Sequence, residues 1–236
     1  MTGTSTIISL MHEKPVLDAE VSNLISASGL WAAFTLLDAG GDAVRWARRA
    51  FHENELGYAE LAQKADQSPA GAQNLFFLPY LSGERFGDHS NSRAQFFGLT
   101  ASHTLPDLHR SVLEGVAFSV RQKLDKLQGS SGRPDRIVAA SGGAKNTLWL
   151  QIKASMYNVP YLVPEEPECG LVGAAMLMAQ ATGAVAGPRE AAQVMVRYTQ
   201  EIAPNPRWTD HYDKMMPLYT RLYDHSKSFY NDLEAL

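Results

Sequence analysis

The chain has 236 residues, of which 45% are hydrophobic and 19% are charged, and its formal net charge is -4 at pH 7. This composition is typical of a globular protein with enough apolar side chains for a sizeable core. The acidic balance argues against a nucleic-acid partner, because phosphate binding requires a basic surface. No window approaches the roughly 18 consecutive apolar residues of a membrane span, so no membrane partner is expected. The single Cys169 and the lack of a signal-peptide pattern predict a cytoplasmic protein.

Short elements are predicted in the first part of the chain. They are a strand at residues 4–10, a buried strand or helix entry at 30–37, a helix after an N-cap at Asp38, a helix at 57–65 with Glu60 as its capping glutamate, and a strand at 75–78. The polar, glycine-bearing segment 82–93 is predicted to be a loop.

A long helix is predicted in the middle of the sequence. Thr104 and Asp107 form a capping box, and apolar residues then recur every three or four positions from residue 108 to residue 127. The elements that follow are strands at 136–140 and 159–163 and helices that end at Met156, span 170–182 and span 208–233. This alternation predicts an α/β fold with crossover connections.

Glycine-bearing turns stand where strands or helices begin. Gly3 and Thr4 open the first strand, Gly41 precedes a helix, and Gly142 and Gly143 connect a strand to a helix. Glycine lets backbone amides approach an anion, and a helix N-terminus offers free amides and the positive end of its dipole. Each turn taken alone is more simply interpreted as a local connection, and the spacings of a P-loop and of a dinucleotide fingerprint are absent.

Other kinds of site have weaker support in the sequence. The histidines show no metal-ligand spacing, and one cysteine cannot build a structural zinc site, so no metal site made of protein ligands alone is expected. Glu84 and Arg85 could be catalytic, but an adjacent charged pair is more typical of a loop-anchoring contact. Glu114 is more typical of a buried structural acceptor than of a base. No Ser, His and acid arrangement for acyl transfer is recognisable.

Several longer motifs follow one another along the chain. They are FFLPYLSGER at residues 76–85, RAQFFGLT at 93–100, LHRSVLEGVAF at 108–118, SGGAKNTLWLQIKA at 141–154 and GLVGAAMLMA at 170–179. Together they resemble the C-terminal domain of the FGGY carbohydrate kinases, and within that family they look most similar to the xylulokinases. A signature pattern of the family, from Ala94 to Glu114, is complete. The likeness covers nearly all of residues 1–236.

The resemblance implies an α/β fold, the actin-like and ribonuclease-H-like ATPase lobe, with a mixed sheet and flanking helices. It also gives the glycine turns one function, the binding of ATP or ADP. Gly3 and Thr4 match the turn near the β- and γ-phosphates in the family. Gly41 matches a glycine that approaches the phosphates and the ribose.

The second half of the implied nucleotide site lies after the long helix. Gly142 and Gly143 match the family's glycine pair beside the α-phosphate and ribose. Asn146 matches a small polar residue near the adenine. Arg45 occupies a position that often flanks the base.

For a complete kinase, the resemblance implies transfer of the γ-phosphoryl group of ATP to a hydroxyl of a pentulose or related sugar, with Mg²⁺ bridging the phosphates. In the family the catalytic aspartate and the sugar-binding residues precede the GT turn, on an N-terminal lobe. No catalytic residue is therefore assigned, and the sugar is expected to bind through that missing lobe. The chain alone is expected to be inactive, and a homodimer is left open. The alternatives are a non-catalytic nucleotide-binding or interaction module and a structural protein with degenerate turns.

Overall fold

The structure is a computed structural model that describes residues 1–52, 55–86, 89–128 and 132–236. Its strands are β1 (Thr6–His12), β2 (Ser22–Ile25), β3 (Trp31–Leu37), β4 (Phe76–Leu78), β5 (Gln95–Phe97), β6 (Ile137–Val138), β7 (Tyr161–Pro164) and β8 (Tyr198–Ile202). Its helices are α1 (Gly41–His52), α2 (Tyr58–Asp66), α3 (Leu105–Gln128), α4 (Thr147–Tyr157), α5 (Cys169–Ala181), α6 (Pro188–Met195) and α7 (Pro206–Glu234). None of the described helices combines the length and apolarity that crossing a bilayer requires.

The strands form sheets of mixed direction. In the first sheet, β3 lies between β1 and β2 and is antiparallel to both. A short antiparallel pair joins β4 and β5. In the third sheet, β6 and β7 are parallel and α4 lies between them in sequence, while β8 pairs with the other side of β7 in the antiparallel sense. The parallel pair with its helical crossover confirms the predicted α/β class.

Several predicted boundaries differ from the structure. The run at 30–37 is a strand, because β3 pairs with a neighbour on each side. The strand predicted at 136–140 is shorter in the structure, where β6 spans only Ile137–Val138 and pairs with β7. Pattern reasoning missed β2, β5, α6 and β8, which are short or mostly exposed and therefore lack strong hydrophobic periodicity.

Two local predictions near α1 and α2 have different outcomes. The cap at Glu60 is confirmed, since its Oε2 accepts a hydrogen bond of 2.6 Å from the Gly57 amide. The N-cap at Asp38 is wrong. The Asp38 carboxylate instead accepts from Arg85 Nη2 at 2.6 Å, and α1 begins only at Gly41.

The predicted loop at 82–93 includes residues 87 and 88, which lie outside the described part of the chain. On its described side, Glu84 is buried and pairs with Lys123 Nζ of α3 at 3.0 Å. With the Arg85–Asp38 pair, this contact fastens the loop to the rest of the fold. The loop-anchoring interpretation of Glu84 and Arg85 is therefore the one that their contacts support.

Helix α3 is the centre of the core. It packs against β1, β3 and β4 and against α1, α2 and α4. Every residue of its apolar stripe from residue 112 onwards is at most 2% exposed, namely Val112, Val116, Val120, Leu124 and Leu127. Phe118 stacks on Tyr219 of α7 with ring centroids 5.0 Å apart. The long periodic segment is buried on nearly every side, because other elements surround it.

The first turn of α3 is fixed by the carboxylate of Asp107. Its Oδ1 accepts from Ser68 Oγ at 2.7 Å and from Gln73 Nε2 at 3.0 Å. Its Oδ2 accepts from the Thr104 amide at 2.8 Å and from the Thr104 hydroxyl at 2.9 Å. Burial acts to raise the pKa of Asp107, but the hydrogen bonds from Thr104, Ser68 and Gln73 lower it to about 2. The capping pair is present, with the Thr104 hydroxyl donating to Asp107.

A buried ion pair lies one turn further along α3. Arg110 Nε donates to Glu114 Oε1 at 2.8 Å, and both side chains are at most 2% exposed. The same oxygen accepts from the Gly71 amide at 3.0 Å and from the Tyr212 hydroxyl at 2.7 Å. The Arg110 guanidinium lies 4.5 Å from the ring centre of Trp208. Glu114 is thus a buried structural acceptor that joins α3, α7 and the loop after α2.

Replacing Asp107 with Asn should test how much this cap stabilises the fold. The folded pKa of about 2 lies below the unfolded value near 3.9, so the carboxylate contributes stability that is complete above pH ~4 and is lost as pH falls toward 2. We expect D107N to lower the free energy of unfolding by about 2 kcal/mol at neutral pH. This gap between the wild type and D107N should narrow in acid. Urea denaturation between about pH 7 and pH 3 measures this gap.

The matched control is Asp210→Asn, which removes an exposed carboxylate from α7. It should change the unfolding free energy by no more than about 0.5 kcal/mol. A D107N deficit that stays constant across the acid range would show that the charge of Asp107 is not what stabilises the cap.

Candidate functional site

A cleft of about 700 Å³ opens between the N-terminal turn, α1, α2 and the start of α4. All the residues predicted to bind the nucleotide line it, namely Gly3, Thr4, Gly41, Arg45, Gly142, Gly143 and Asn146. These positions come from three separate stretches of sequence. The fold brings them together, while their contacts with a nucleotide stay a prediction.

Backbone hydrogen bonds hold the three glycine turns against one another. The carbonyl of Gly3 accepts from the Gly41 amide at 3.0 Å, and the carbonyl of Thr4 accepts from the Asp42 amide at 2.9 Å. The carbonyl of Thr2 accepts from the Gly143 amide at 2.9 Å. We refer to these three bonds as the N-terminal clasp. Because of the clasp, the N-terminal turn is fixed between the starts of two later elements.

Glycine is required at two of these positions by close backbone approach. A Cβ atom on Gly41 would overlap the carbonyl oxygen of Gly3, and one on Gly143 would lie 2.6 Å from Cβ of Thr2. A Cβ atom on Gly3 or on Gly142 would meet no other atom within 4 Å. The first two glycines therefore build the clasp. The other two leave open space in the cleft.

The clasp changes which amides could bind an anion. The sequence predicted free amides at the N-terminus of α1, but those of Gly41 and Asp42 are already bonded within the clasp. Among the described residues, no acceptor is recorded for the amides of Gly142, Thr147 and Leu148, which also line the cleft. Unbonded amides therefore face the cleft at the start of α4, whereas the first two amides of α1 are occupied.

Two residues shape this start of α4. The Oδ1 atom of Asn146 accepts from the Trp149 amide at 3.0 Å, so it caps the helix and only its NH₂ group remains to donate to a ligand. Ser141 has φ 64° and ψ -166°, a conformation that is costly for any residue except glycine. Its amide is held by the Pro167 carbonyl at 2.9 Å. Backbone strain is thus stored immediately before the Gly142–Gly143 turn.

Charged side chains of both signs line the cleft. Arg45 forms an ion pair with Asp42 one turn away on α1, which neutralises the carboxylate nearest the clasp. Lys145 is exposed and has no ion-pair partner within the described part of the chain. A cation of this kind is available to a phosphate group.

One wall of the cleft was missed by sequence reasoning. It is a face of α2 made of Tyr58, Ala59, Ala62, Gln63 and Asp66. Tyr58 is 53% exposed although it is aromatic. The spacing of these residues places them on one side of a helix. After Tyr58 none of them is a large apolar residue, and this was the available sign that the face is not packed in the core. This wall contains no glycine, so the pattern of glycine turns did not indicate it.

The FGGY family of carbohydrate kinases, C-terminal domain, matches residues 1–182. The chain belongs to this family. The FGGY domain has the actin-like, ribonuclease-H-like ATPase fold that its solved relatives share.

The relatives include kinases for different sugars. The FGGY domain is 29% identical over 198 residues to a xylulose kinase of Bacillus subtilis, which covers 84% of this chain and 40% of that protein. It is 30% identical over 233 residues to a gluconokinase of Bacillus licheniformis, with 93% and 45% covered. The ligand-bound xylulose kinase of Lactobacillus acidophilus superposes with a TM-score of 0.91 at 29% identity, over 98% of this chain and 48% of that one. The chain thus spans less than half the length of these relatives.

Behind the cleft of the FGGY domain lies a buried lysine. Lys153 of α4 is 3% exposed, and its Nζ donates to Thr2 Oγ1 at 3.0 Å. It also lies 4.0 Å from the ring centre of Trp149. Burial lowers the pKa of Lys153 to about 7. Lys153 therefore supports Thr2, whose carbonyl belongs to the clasp, from the side opposite the cleft.

Lys153→Met should reveal the cost of burying this amine. The unfolded chain holds the proton up to pH ~10.4 and the folded chain only to about 7, so folding releases a proton between these values and stability rises with pH. We expect the wild type to gain about 1 kcal/mol of unfolding free energy per pH unit relative to K153M. Chemical denaturation between about pH 8 and pH 9.5 measures the difference.

Between about pH 8 and pH 9.5, the titration of Lys153 can be distinguished from that of the N-terminal amine. The Met1 amine has a pKa lowered to about 6 by burial, followed by the charge of Lys153, and its usual value is near 8. Above pH ~8 it is therefore largely neutral in both states. Parallel slopes for the wild type and K153M would mean that Lys153 keeps its proton in the folded protein.

Proposed function

We propose that this chain is the nucleotide-binding lobe of an ATP-dependent sugar kinase. The observation that carries the proposal is the convergence of Gly3, Thr4, Gly41, Gly142 and Gly143 on one cleft. Convergence of separate glycine turns on one groove is what binding of an extended phosphate chain requires. The family supplies the chemistry, since its members are carbohydrate kinases.

The cleft suggests how ATP would lie. Its phosphates would meet the open space beside Gly3 and Gly142, the unbonded amides at the start of α4 and the ammonium group of Lys145. The adenine would lie toward the wall of α2, where Tyr58 and Ala62 offer apolar surface. The NH₂ group of Asn146, which lines the same cleft, would donate to the base. Arg45 of α1, which also lines the cleft, would flank the base.

We propose that Mg²⁺ enters with the nucleotide. Within the described ranges, no group of three or more His, Cys, Asp and Glu side chains could hold a metal ion. Among the residues that the structure describes, the carboxylates lining the cleft are those of Asp42 and Asp66, and Arg45 already pairs with the first. The ion would therefore be held mainly by phosphate oxygens, where it would neutralise charge that develops during transfer.

We further propose that residues 1–236 form one lobe of the kinase, and that a second lobe supplies the sugar site and the catalytic aspartate. Helix α7 lies beyond the residues matched by the family, yet it is integral to the core through Tyr212 and Tyr219, which are both fully buried. The complete enzyme would transfer the γ-phosphoryl group of ATP to a sugar hydroxyl. Its acceptor would be a pentulose such as xylulose, or gluconate, as the names of the relatives indicate.

Gly142→Val should block nucleotide binding without harming the fold. The new side chain would extend into open space of the cleft, where the proposal places the phosphates. We expect the affinity for MgADP to fall by at least about tenfold, which corresponds to about 1.4 kcal/mol. Isothermal titration calorimetry measures the affinity, and thermal unfolding checks the fold.

The control for this experiment is Gly187→Val. Gly187 also has open space around it, has extended backbone with φ 179°, and lies outside the cleft at the start of α6. The G187V protein should bind MgADP with the same affinity as the wild type. If G142V and the wild type bind with equal affinity, the phosphates do not lie at this turn. If the wild type binds no nucleotide at all, the chain is a structural or interaction module.

The isolated chain should phosphorylate no sugar. It would position the nucleotide but would lack the base that accepts the hydroxyl proton, a role that general-base catalysis gives to a positioned side chain. A coupled assay of ADP release with xylulose or gluconate should show no sugar-dependent rate above that of ATP alone. Sugar-dependent turnover by the isolated chain would mean that a catalytic base lies within these residues.

A further inference from the structure

A second groove, of about 640 Å³, lies on the other side of the N-terminal turn. Its two sides are lined by β1 and β6, each of which is the edge strand of its sheet. Lys153 of α4 lines this groove but not the cleft, whereas Thr2 and Gly143 line both cavities. Thr2 and Gly143 therefore form a partition between the Lys153 amine and the cleft.

This partition is thin. Lys153 Nζ donates to Thr2 Oγ1 at 3.0 Å, and the Thr2 carbonyl accepts from the Gly143 amide at 2.9 Å. Cβ of Thr2 lies only 2.6 Å from the position that a Cβ atom on Gly143 would take. Because Thr2 packs directly on Gly143, no layer of water separates the two residues. A charge on Lys153 is therefore only weakly screened from the Gly142–Gly143 turn.

The amine of Lys153 has no counter-ion. Among the residues that the structure describes, no carboxylate forms an ion pair with it. Its other neighbour is the ring of Trp149, 4.0 Å away, which the Leu113 carbonyl fixes by accepting from Nε1 at 2.9 Å. A buried ammonium group without a counter-charge is unfavourable, and burial lowers the pKa of Lys153 to about 7. An anion nearby would favour the charged form.

The groups that surround Lys153 do not supply this anion. In its groove, the titratable and charged groups are those of Met1, His12, Arg133, Asp135, Arg136, Tyr157 and Tyr161. Helix α3 adds Val120 to this groove, and α2, α7 and β8 add no described residue. Cys169 of α5 acts on the Met1 amine. Asp135 is thus the one carboxylate among the described residues of the groove, and it lies between two arginines in sequence.

The cleft side of the partition also offers little negative charge of its own. Its charged side chains are those of Asp42, Arg45, Asp66 and Lys145, and Asp42 is already paired with Arg45. A bound nucleotide would bring two or three phosphate groups to this side. Its phosphates would then be the strongest negative charge near Lys153.

We propose that binding of the magnesium nucleotide makes Lys153 take up a proton from solvent, so that its ammonium group stabilises the phosphates from behind the turn. The inference rests on the proposed function, because it requires phosphates beside Gly142. The uncharged amine gains one proton, the buffer loses it, and no other bond changes. Lys153 would not touch the nucleotide, since its charge acts across Thr2 and Gly143. By reciprocal linkage, the nucleotide binds more tightly where Lys153 is already protonated.

The first test counts the protons that the full chain takes up with MgADP at pH 8. At this pH the Met1 amine, whose pKa burial and the charge of Lys153 lower to about 6, is uncharged. If the phosphates raise the pKa of Lys153 from about 7 to about 8, about 0.4 proton is taken up per nucleotide. Calorimetric titration in Tris and in HEPES, which differ in ionisation enthalpy, measures this number. Lys153→Met should abolish the uptake, whereas Lys214→Met, at an exposed position of α7, should leave it unchanged.

The second test follows the affinity for MgADP as a function of pH. Because binding raises the pKa of Lys153, the affinity is highest where the free protein is already protonated and decreases as pH rises through the pKa of the complex. The wild type should lose about threefold in affinity between pH 7.5 and pH 9, and K153M should lose none. If Lys153 only supported Thr2, K153M would be weaker by the same factor at every pH and the wild-type affinity would stay constant.

A third measurement uses the wild type alone, so it does not depend on the folding of K153M. In protein labelled with ¹³C at the lysine ε-carbons, the Lys153 signal is identified by its contact with the Trp149 ring. Its titration midpoint should rise from about 7 to about 8 when MgADP saturates the protein. Binding of MgADP with an unmoved midpoint and no proton uptake would overturn this inference and leave the proposed function standing. Absence of MgADP binding would overturn both.

Discussion

The N-terminal clasp is the constraint on which both cavities of this protein depend. Three backbone carbonyls, from Thr2, Gly3 and Thr4, accept amides from two elements that lie far away in sequence. One side of the clasped turn faces the cleft that we propose binds the nucleotide, and the other faces the groove between β1 and β6. Gly143 and Thr2 line both. A change in the position of residues 2–4 would therefore alter the cleft and the groove together.

The core behind the clasp is held in place by polar contacts at the start of α3. Helix α3 is held at its start by the four hydrogen bonds to Asp107 and, one turn later, by the Arg110–Glu114 pair. A buried ion pair of this kind adds little net stability, but the loss of one partner would leave the other charge without compensation. These signature residues lie away from the cleft. Their role is to fix α3, against which α1, α2 and α4 pack.

The buried Lys153 shows that the back of the clasp has its own chemistry. Its amine is removed from water and bonds to the side chain of Thr2, whose backbone takes part in the clasp. The ring of Trp149 compensates part of the lost hydration through a cation–π contact. The turn that we propose meets the phosphates is thus supported by Lys153, which does not line the cleft.

The sequence predicted the elements with strong periodicity and the turns with a clear residue signal. The stripe of α3, the cap at Glu60 and the three glycine turns are encoded within short windows, so local patterns were sufficient for them. The face of α2 in the cleft could not be found in this way. Tyr58 and Ala62 are ordinary helix residues until α2 packs beside α4 and leaves their side uncovered.

The sequence by itself determined that the chain is an α/β member of the FGGY family, and it predicted which glycines could meet a phosphate. Only the tertiary structure decided which of those glycines build the turn and which leave space, because that depends on carbonyls contributed from elsewhere in the chain. It also decided that the amides of α1 are occupied and that two strand edges lie open across one groove. Backbone hydrogen bonds use groups that nearly every residue carries, so no pattern along the sequence tells which distant segments they join.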